Sequence, residues 1–316
     1  MSSRFVHVHN HTEYSLLDGA TRIPDMVKRA VDLDMPALAI TDHGVMFGAM
    51  EFYFECLKKG IKPIIGMEAY MAPSGRQVKQ GREEKSAYHL LLLAKNLEGY
   101  RNLCKLHTVA ALEGFYYKPR IDREILREHA HGLIGTTTCL GSEVCEALMD
   151  GDYKKALGIA AEYKEIFDEG SYFVELQDHG LEKQHRIKDD LLKIAKELKL
   201  PLLATNDSHY LCREKYDAHD VLLCIGMGEQ VENKNRMRFE TNEFYLKDPK
   251  EMEALFGDLP EALENSLQIA EMCDLELGKS RAPMPKPVLP EGKASLEHLR
   301  EIAEAGLRER RPNPGE

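Results

Sequence analysis

Residues 6–11 read Val-His-Val-His-Asn-His, and the interpretation of the whole chain starts from this stretch. Valines and histidines alternate, so in an extended strand the imidazoles of His7, His9 and His11 lie on one face. Three imidazoles are costly to bury unless they bind something, and imidazole is a ligand for Zn, Mn, Fe and Ni. A histidine-rich strand that faces solvent would show the same alternation. Residues elsewhere in the chain are needed to distinguish a metal site from a solvated face.

Length and composition are those of an ordinary globular protein. The 316 residues, 43% hydrophobic and 30% charged, suffice for one large domain or two small ones. No run of about 18 apolar residues and no signal-peptide core is present, and seven scattered cysteines lack a CxxC pair, so we expect a soluble cytoplasmic protein. A net charge of −11 argues against a general nucleic-acid coat protein, but not against an acidic site that metal ions make cationic.

Short apolar runs alternate with helix-like segments over about 210 residues, which predicts an α/β fold close to a (βα) barrel in size. Most of these runs are continuously apolar, as in strands that are buried on both faces of a parallel sheet. The predicted strands are residues 5–9, 37–41, 63–70, 89–94, 133–138, 172–176 and 200–205.

Helices are predicted between these strands and after residue 210, where the strand pattern ends. A proline-rich stretch at 282–290 is interpreted as a linker or strap, and a further helix begins at Ser295. The predicted organisation is a barrel domain at 1–275, followed by a linker and the start of another region at 276–316. The main predicted helices are residues 23–34, 45–59, 97–112, 123–131, 142–149, 153–167, 182–198, 215–226, 249–256, 260–273 and 295–311.

Residue types that bind metal stand at the end of nearly every predicted strand, the rim where barrel enzymes build their sites. Taken singly, each is more often a surface histidine, a turn aspartate or a buried cysteine. Together they predict a metal cluster, with too many ligands for one tetrahedral ion. Histidines mixed with carboxylates suit Zn, Mn or Fe, so we expect two or three divalent ions. The candidates are His9, His11, Asp18, Asp42, His43, Glu68, His89, Cys139, Glu175, Asp178, Asp207 and His209; His7 and His107 are interpreted as bystanders and His179 as a surface histidine.

The order of these residues resembles the polymerase and histidinol phosphatase (PHP) family of metal-dependent phosphoesterases. A closer likeness, to the PHP domains of bacterial DNA polymerase III alpha subunits, covers about residues 4 to 290. It lies in FVHVHNHTEYSLLDG at 5–19, PALAITDHG at 36–44, GFYYKPRID at 114–122 and NDSHY at 206–210. Position 139 is Cys, as in the polymerase branch, where phosphatase members tend to have His.

The resemblance implies a distorted (βα)7 TIM-like barrel with a three-metal site at the carboxyl ends of the strands, plus a helical C-terminal extension that begins the polymerase region. It also implies that Asp42 orients a neighbouring histidine, and we place Asp42, Asp207 and His209 in the catalytic set. The implied ligands are His9, His11, Asp18, His43, Glu68, His89, Cys139, Asp207 and His209.

The activity that the resemblance implies is 3′→5′ exonuclease proofreading, in which metal-activated hydroxide cleaves phosphodiesters at a DNA primer end. Lys118 and Arg120 are expected to hold the DNA backbone, and Tyr116 or Tyr117 to stack on a terminal base, unless this loop packs on the barrel instead. One alternative is a non-catalytic, metal-stabilised scaffold that docks a separate proofreading subunit onto the polymerase. Another is a small-molecule phosphomonoesterase. The chain lacks the polymerase core, so DNA synthesis by this chain alone is not expected.

Overall fold

The computed structural model describes residues 4–81, 87–278, 285 and 287–311. Residues 82–86 and part of the predicted proline-rich linker at 282–290 therefore lie outside the described residues. Contacts divide the chain into two compact units, Met1–Glu276 and Leu277–Glu316. Among the described residues, no helix is long and apolar enough to cross a membrane.

One sheet organises the first unit, with strand order β1-β2-β3-β5-β6-β7 and β4 paired to β2. The first and last strands of this order, β1 and β7, do not pair with each other among the described residues. An α/β fold is therefore confirmed, whereas a closed (βα)7 barrel stays a prediction. The strands are β1 (Ala37–Ile40), β2 (Lys62–Met71), β3 (Tyr88–Ala94), β4 (Arg120–Ile121), β5 (Leu133–Thr136), β6 (Tyr172–Leu176) and β7 (Leu202–Ala204).

The prediction of a parallel sheet is wrong at β3, which runs antiparallel to both β2 and β5. Parallel neighbours need a long crossover, usually a helix. The connection between Met71 and Tyr88 has no helix in its described part, so the chain returns directly along β2. As a result, the first residues of β3 lie at the same edge of the sheet as the last residues of β2.

The predicted first strand, residues 5–9, does not form a regular strand. The segment lies between β1 and the residues after β7, and it bonds to each in turn. The amide of Ala39 donates to the His7 carbonyl, and the amide of Ser208 donates to the His9 carbonyl. Because the bonds change sides within three residues, no continuous ladder forms with either neighbour.

Eleven α-helices are described, and local signals account for where several of them begin. Asn96 accepts a hydrogen bond from the Gly99 amide at the start of α3, and Asp248 and Glu251 form a capping box at α9. The helices are α1 (Ile23–Asp32), α2 (Ala49–Lys59), α3 (Leu97–Leu112), α4 (Arg123–His129), α5 (Glu143–Met149), α6 (Tyr153–Ile166), α7 (Glu182–Leu198), α8 (Tyr216–Met227), α9 (Pro249–Phe256), α10 (Pro260–Met272) and α11 (Ser295–Arg310).

The α11 helix belongs to the second unit, and none of its residues is buried. The core lies in the first unit and includes an apolar cluster to which the main strands contribute one or two residues each. Side chains two or four positions further along the same strand faces are polar, because successive side chains on a strand alternate between faces. Glu68 follows Ile64 in this way, and Glu175 follows Phe173. The cluster comprises Val6, Val8, Ala37, Ala39, Ile64, Leu93, Ile134, Phe173, Leu203, Ile269, Ala270 and Cys273.

Candidate metal centre

Glu68, near the end of β2, lies at the centre of a cluster of imidazoles and is fully buried. Its Oε2 is 2.7 Å from His43 Nδ1 and 3.3 Å from His11 Nε2. Its Oε1 is 3.0 Å from His89 Nδ1 and 3.4 Å from His9 Nε2. His89 reaches this carboxylate from the beginning of β3 because that strand is antiparallel to β2. One carboxylate therefore contacts four histidines that come from three separate segments.

Asp207 and Asp18 complete the cluster from two further loops. Asp207 Oδ1 lies 3.0 Å from His11 Nε2 and 3.2 Å from His9 Nε2. Asp18 Oδ2 lies 3.1 Å from His43 Nε2 and 3.9 Å from His209 Nε2.

The backbone is strained at one predicted ligand and directly before another. Asp207 has φ of 42°, and Thr138, directly before Cys139, has φ of 59°. Non-glycine residues in this region cost about 1–3 kcal/mol and tend to cluster at functional sites. The Cys139 thiol lies 3.4 Å from His89 Nδ1 and 3.5 Å from Glu68 Oε1. The structure thus brings all nine predicted ligands into one place, although their role as ligands stays a prediction.

The donor set fits divalent cations. Three groups of three side chains each offer ligand atoms within 4.8 Å of one another: His11, His43 and His209; His9, His11 and Asp207; and His43, Glu68 and His89. Buried polar atoms without a partner are costly, and a cation would satisfy those in this cluster. Within the described chain, the buried atoms of the cluster that make no hydrogen bond are His9 Nε2, His11 Nε2, His43 Nδ1, Asp18 Oδ1, Glu68 Oε2 and Asp207 Oδ1.

The pKa shifts within the cluster also indicate a site for positive charge. Burial lowers the pKa of His9, but the carboxylates of Asp207, Glu175 and Glu68 outweigh it and hold this pKa well above its usual value. Burial raises the pKa of Glu68, yet the charges of His89, His43 and His9 hold it well below its usual value. The buried carboxylates therefore require positive charge beside them. Protons can provide it, and a metal ion that binds there must displace them.

His209 behaves differently, because burial and the charge of His11 lower its pKa to about 3. Its Nδ1–H donates to the backbone oxygen of Asp207 at 2.8 Å. This bond leaves the lone pair of Nε2 available, which is the form in which imidazole binds a metal.

Glu175 supports the cluster without belonging to the predicted ligand set. Its carboxylate accepts hydrogen bonds from His9 Nδ1 at 2.7 Å, from the hydroxyls of Thr136 and Thr205 at 2.5 Å each, and from Gln177 at 2.9 Å. A carboxylate behind a ligating histidine sets which ring nitrogen carries the proton. The sequence signal for Glu175 was its place at the end of β6.

The contacts of Asp42 fit the implied role of orienting a neighbouring histidine, and its place in the catalytic set stays a prediction. Its carboxylate accepts hydrogen bonds from the Thr12 amide at 2.6 Å, the Thr12 hydroxyl at 2.8 Å and the Ser15 hydroxyl at 2.8 Å. Ser15 Oγ in turn lies 3.0 Å from His11 Nδ1. Asp42 therefore acts on His11 through Ser15, a residue that sequence reasoning missed, and it is a positioning residue.

The structure corrects the prediction that Arg120 holds a DNA backbone. Arg120 is fully buried, and its guanidinium donates to the carbonyl oxygens of Gly114 at 3.1 Å and Val78 at 2.8 Å. It also lies 5.2 Å from the Tyr116 ring, which is half-buried. Both side chains therefore stabilise the loop. A buried guanidinium that already donates to carbonyl groups has no access to phosphate.

Lys118 and Tyr117, in contrast, line a cavity that borders Asp18 and His43. Lys118 Nζ lies 4.2 Å from the centre of the Tyr70 ring, which itself stacks 5.8 Å from the His43 ring. Burial lowers the pKa of Lys118, although the charges of Asp18 and Glu68 oppose the shift. Lys118 thus remains available at the mouth of the cluster, and Tyr117 is better placed there than Tyr116.

His7 and His179, which the sequence analysis placed outside the ligand set, also lie outside the cluster. His7 donates to the Lys247 carbonyl at 2.9 Å, as expected of a bystander. His179 is buried, so its interpretation as a surface histidine is wrong. Its ring stacks on Phe244 at 3.7 Å and bonds to the Asn206 carbonyl at 2.9 Å.

Comparison with known proteins gives one family. A family model described as the PHP domain matches residues 7–179, more than half of the chain. The DNA polymerase III subunit alpha of Borreliella burgdorferi is 45% identical over 296 residues, which cover 93% of this chain and 25% of that protein. The DNA polymerase III subunit alpha of Thermus aquaticus is 43% identical over 322 residues, covering 98% and 26%. The chain thus spans about a quarter of the length of these relatives.

Similarity to a solved structure is weaker. A two-domain protein from Bacteroides vulgatus, described as containing a predicted PHP-like metal-dependent phosphoesterase, superposes with a TM-score of 0.42 at 14% identity. The match covers 85% of this chain and 69% of that one. A likeness at this level carries no argument about function.

Proposed function

The chain belongs to the PHP domain family, and from that premise we propose that it is a metal-dependent phosphodiesterase that removes nucleotides from the 3′ end of DNA. The relatives named DNA polymerase III subunit alpha extend this proposal to a proofreading role beside the polymerase core of a longer chain.

The observation that carries the proposal is the set of buried ligand atoms around Glu68 that make no hydrogen bond. Five of these six atoms face one another as imidazole–carboxylate pairs at 2.7–3.3 Å. So many ionisable groups in one buried cluster would be costly in a purely structural core. His9, His11, Asp18, His43, Glu68, His89, Cys139, Asp207 and His209 would hold two or three divalent ions of Zn, Mn or Fe. Ions bound there would supply Lewis-acid charge for the hydrolysis of a phosphate ester.

The protein's own residues orient this site. Glu175 accepts the Nδ1 proton of His9, and Ser15, held by Asp42, accepts that of His11. Once an ion has displaced the second ring proton, both Nε2 atoms would face it as ligands. Lys118 is placed to bind a phosphate oxygen at the mouth. Its half-buried ammonium has shed part of its water, which strengthens the contact with an anion.

A hydrolysis assay tests the proposal. Metal-loaded protein is incubated with 5′-labelled single-stranded DNA, a labelled primer–template and a chromogenic phosphomonoester. We expect a ladder that shortens from the 3′ end. Asp207→Asn should abolish it by removing ligand charge, whereas His185→Ala, an exposed histidine outside the cluster, should leave it unchanged.

Two results would contradict the exonuclease. Turnover of the monoester alone would favour a small-molecule phosphatase. Stoichiometric bound metal without hydrolysis of any substrate would favour a metal-stabilised scaffold that docks a separate proofreading subunit.

A further inference from the structure

The cavity beside the proposed ligands has two chemically different ends. At one end it borders Asp18 and His43, with Lys118 nearby. Its remaining walls are mainly apolar. Its volume is about 420 Å³, within the range of about 300–1,000 Å³ that is typical of small-molecule sites. Lys118 is the one lysine or arginine among the described residues that line it.

Two apolar walls face solvent beside this polar end. Leu16 and Leu17, in the turn that leads to Asp18, are 72% and 62% exposed. Met227 and Met237 are 38% and 57% exposed. Exposed apolar side chains that are contiguous and rimmed by polar groups mark a binding surface. Methionine is flexible and polarisable, so it adapts to flat rings of different shape.

Contacts on both sides of Met237 hold the methionine wall beside the ligand cluster. Next to Met237, Arg236 makes a bidentate pair with Asp220, at 2.7 and 2.5 Å. Phe239, two residues further on, contacts the His209 ring at 4.9 Å.

The other wall is equally constrained. A Cβ added at Gly226 would lie 3.2 Å from the backbone oxygen of Leu17, so the end of α8 packs directly on the leucine turn. The spacing between the apolar walls and the metal ligands is therefore set by the fold.

We propose that this cavity is the subsite for one unpaired nucleotide at the 3′ end of the substrate. The nucleobase lies against Leu16, Leu17, Met227 and Met237, Tyr117 borders its open side, and the phosphate reaches Lys118 and the ligand cluster. This inference rests on the proposed function and adds the substrate form, which is a single-stranded or frayed end. A base inside a duplex hides its faces in the stack, so a fully paired end cannot enter.

The walls also predict tolerance of base identity. Every base has an apolar face, and stacking contacts do not distinguish one base edge from another. Sequence selection would need donors and acceptors at the base edge. The leucine and methionine side chains against which the base would lie offer none. The hydroxyls of Tyr14 and Ser15, which also line the cavity, already donate to Glu51 and Asp42.

A binding experiment separates this inference from hydrolysis. The probe is a fluorescein-labelled single strand whose last linkage is a methylenephosphonate, which is not hydrolysed. Its Kd for the metal-loaded chain is measured by anisotropy with a natural 3′-terminal nucleotide and with an abasic one. The same pair is measured for Leu17→Ala, for Met227→Ala and for Ile225→Ala, the last being an exposed residue of α8 that does not line the cavity.

We expect the abasic probe to bind the unmodified chain about tenfold more weakly, as the loss of one stacked base predicts. Leu17→Ala and Met227→Ala should weaken binding of the natural probe by about fivefold to tenfold and leave the abasic probe unchanged. Ile225→Ala should change neither. A blunt duplex should bind more weakly than the single strand.

Equal losses for both probes, or no loss for either, would overturn the base subsite even if the protein hydrolyses DNA. Conversely, a difference between the probes would support the subsite even if hydrolysis were absent. The two proposals therefore fail independently.

Discussion

Glu175 shows how one side chain controls a cluster from behind. It accepts four hydrogen bonds: one from His9 Nδ1, two from threonine hydroxyls and one from Gln177. All of these partners are donors, so a carboxylate is needed at this position. The orientation of His9 depends on it, because no other side-chain partner of His9 Nδ1 appears among the described residues.

We predict that Glu175→Gln lowers the affinity for divalent metal by about 10–100-fold. Glutamine has nearly the same shape, but its amide nitrogen donates where the neighbouring groups also donate. Competition with a chromogenic chelator measures the affinity. Glu165→Gln, on the exposed surface of α6, is the matched control. Equal affinity of Glu175→Gln and the unmodified protein would refute a positioning role.

His179 makes stability depend on pH. Burial lowers its pKa from 6.5 to about 4, against the opposing hydrogen bond to the Asn206 carbonyl. The folded state therefore prefers neutral His179. Its contribution to stability is complete above pH 6.5 and is lost as the pH falls from 6.5 through about 4, because the unfolded chain binds the proton first.

We predict that His179→Gln removes up to about 3 kcal/mol of this acid-linked loss of stability. Urea unfolding of metal-free protein at several pH values between 7.5 and 4.5 measures the slope. His129→Gln, in the last turn of α4, is the matched control and should keep the slope of the unmodified protein. An unchanged slope in His179→Gln would show that other groups carry the acid sensitivity.

At the level of elements, the β2–β3 pair decides whether the site can form. Glu68 and Leu91 are partners across this antiparallel pair, and His89 lies two residues from Leu91 on the same face. Gly66 belongs to the same pair of strands. A Cβ added to it would be 2.5 Å from the backbone oxygen of Leu92. A side chain there cannot be accommodated by rotating a flexible group.

We predict that Gly66→Ala lowers the free energy of unfolding by about 1–3 kcal/mol or more, because the two strands must separate. Gly158→Ala is the matched substitution, in the middle of α6 with open space around it. It should raise stability by about 0.5–1 kcal/mol through helix propensity and reduced freedom of the unfolded chain. Urea denaturation measures both. A neutral Gly66→Ala would mean that β2 and β3 are not closely paired.

For the molecule as a whole, the proposed ligands join segments that are far apart in sequence. Ions that bind them only in the folded state add stability by mass action, about 2.7 kcal/mol at a free concentration one hundred times Kd. The proposed ligands lie in seven segments, whose first ligands are His9, Asp18, His43, Glu68, His89, Cys139 and Asp207.

We therefore predict that a chelator lowers the Tm of the metal-loaded protein and that added Zn or Mn restores it. Differential scanning calorimetry measures the shift. Asp207→Asn should reduce the shift, since it removes a ligand charge from the cluster, while His185→Ala should retain it. A Tm that is insensitive to both chelator and metal would exclude a folded-state metal site.

Sequence alone determined much of the fold and most members of the cluster. Helices 97–112, 182–198 and 249–256 and strand 172–176 were predicted with the bounds that the structure has. Their signals are local, since periodicity and caps depend on residues within one or two turns. The residue types at strand ends predicted a metal cluster with twelve candidate ligands, and the resemblance to the PHP family reduced these to nine. His89 joins the others only because β3 runs antiparallel to β2, which the sequence did not predict.

Only the tertiary structure decided the features that depend on distant partners. In the structure β3 is antiparallel to its neighbours and residues 5–9 form no regular strand. Arg120, predicted to contact DNA, is buried and stabilises its own loop. Arg120 bonds to Val78, 42 residues away, and Glu175 bonds to His9, 166 residues away. Burial and hydrogen-bond partners of this kind are set by which segments pack together, and no local pattern in the chain encodes that.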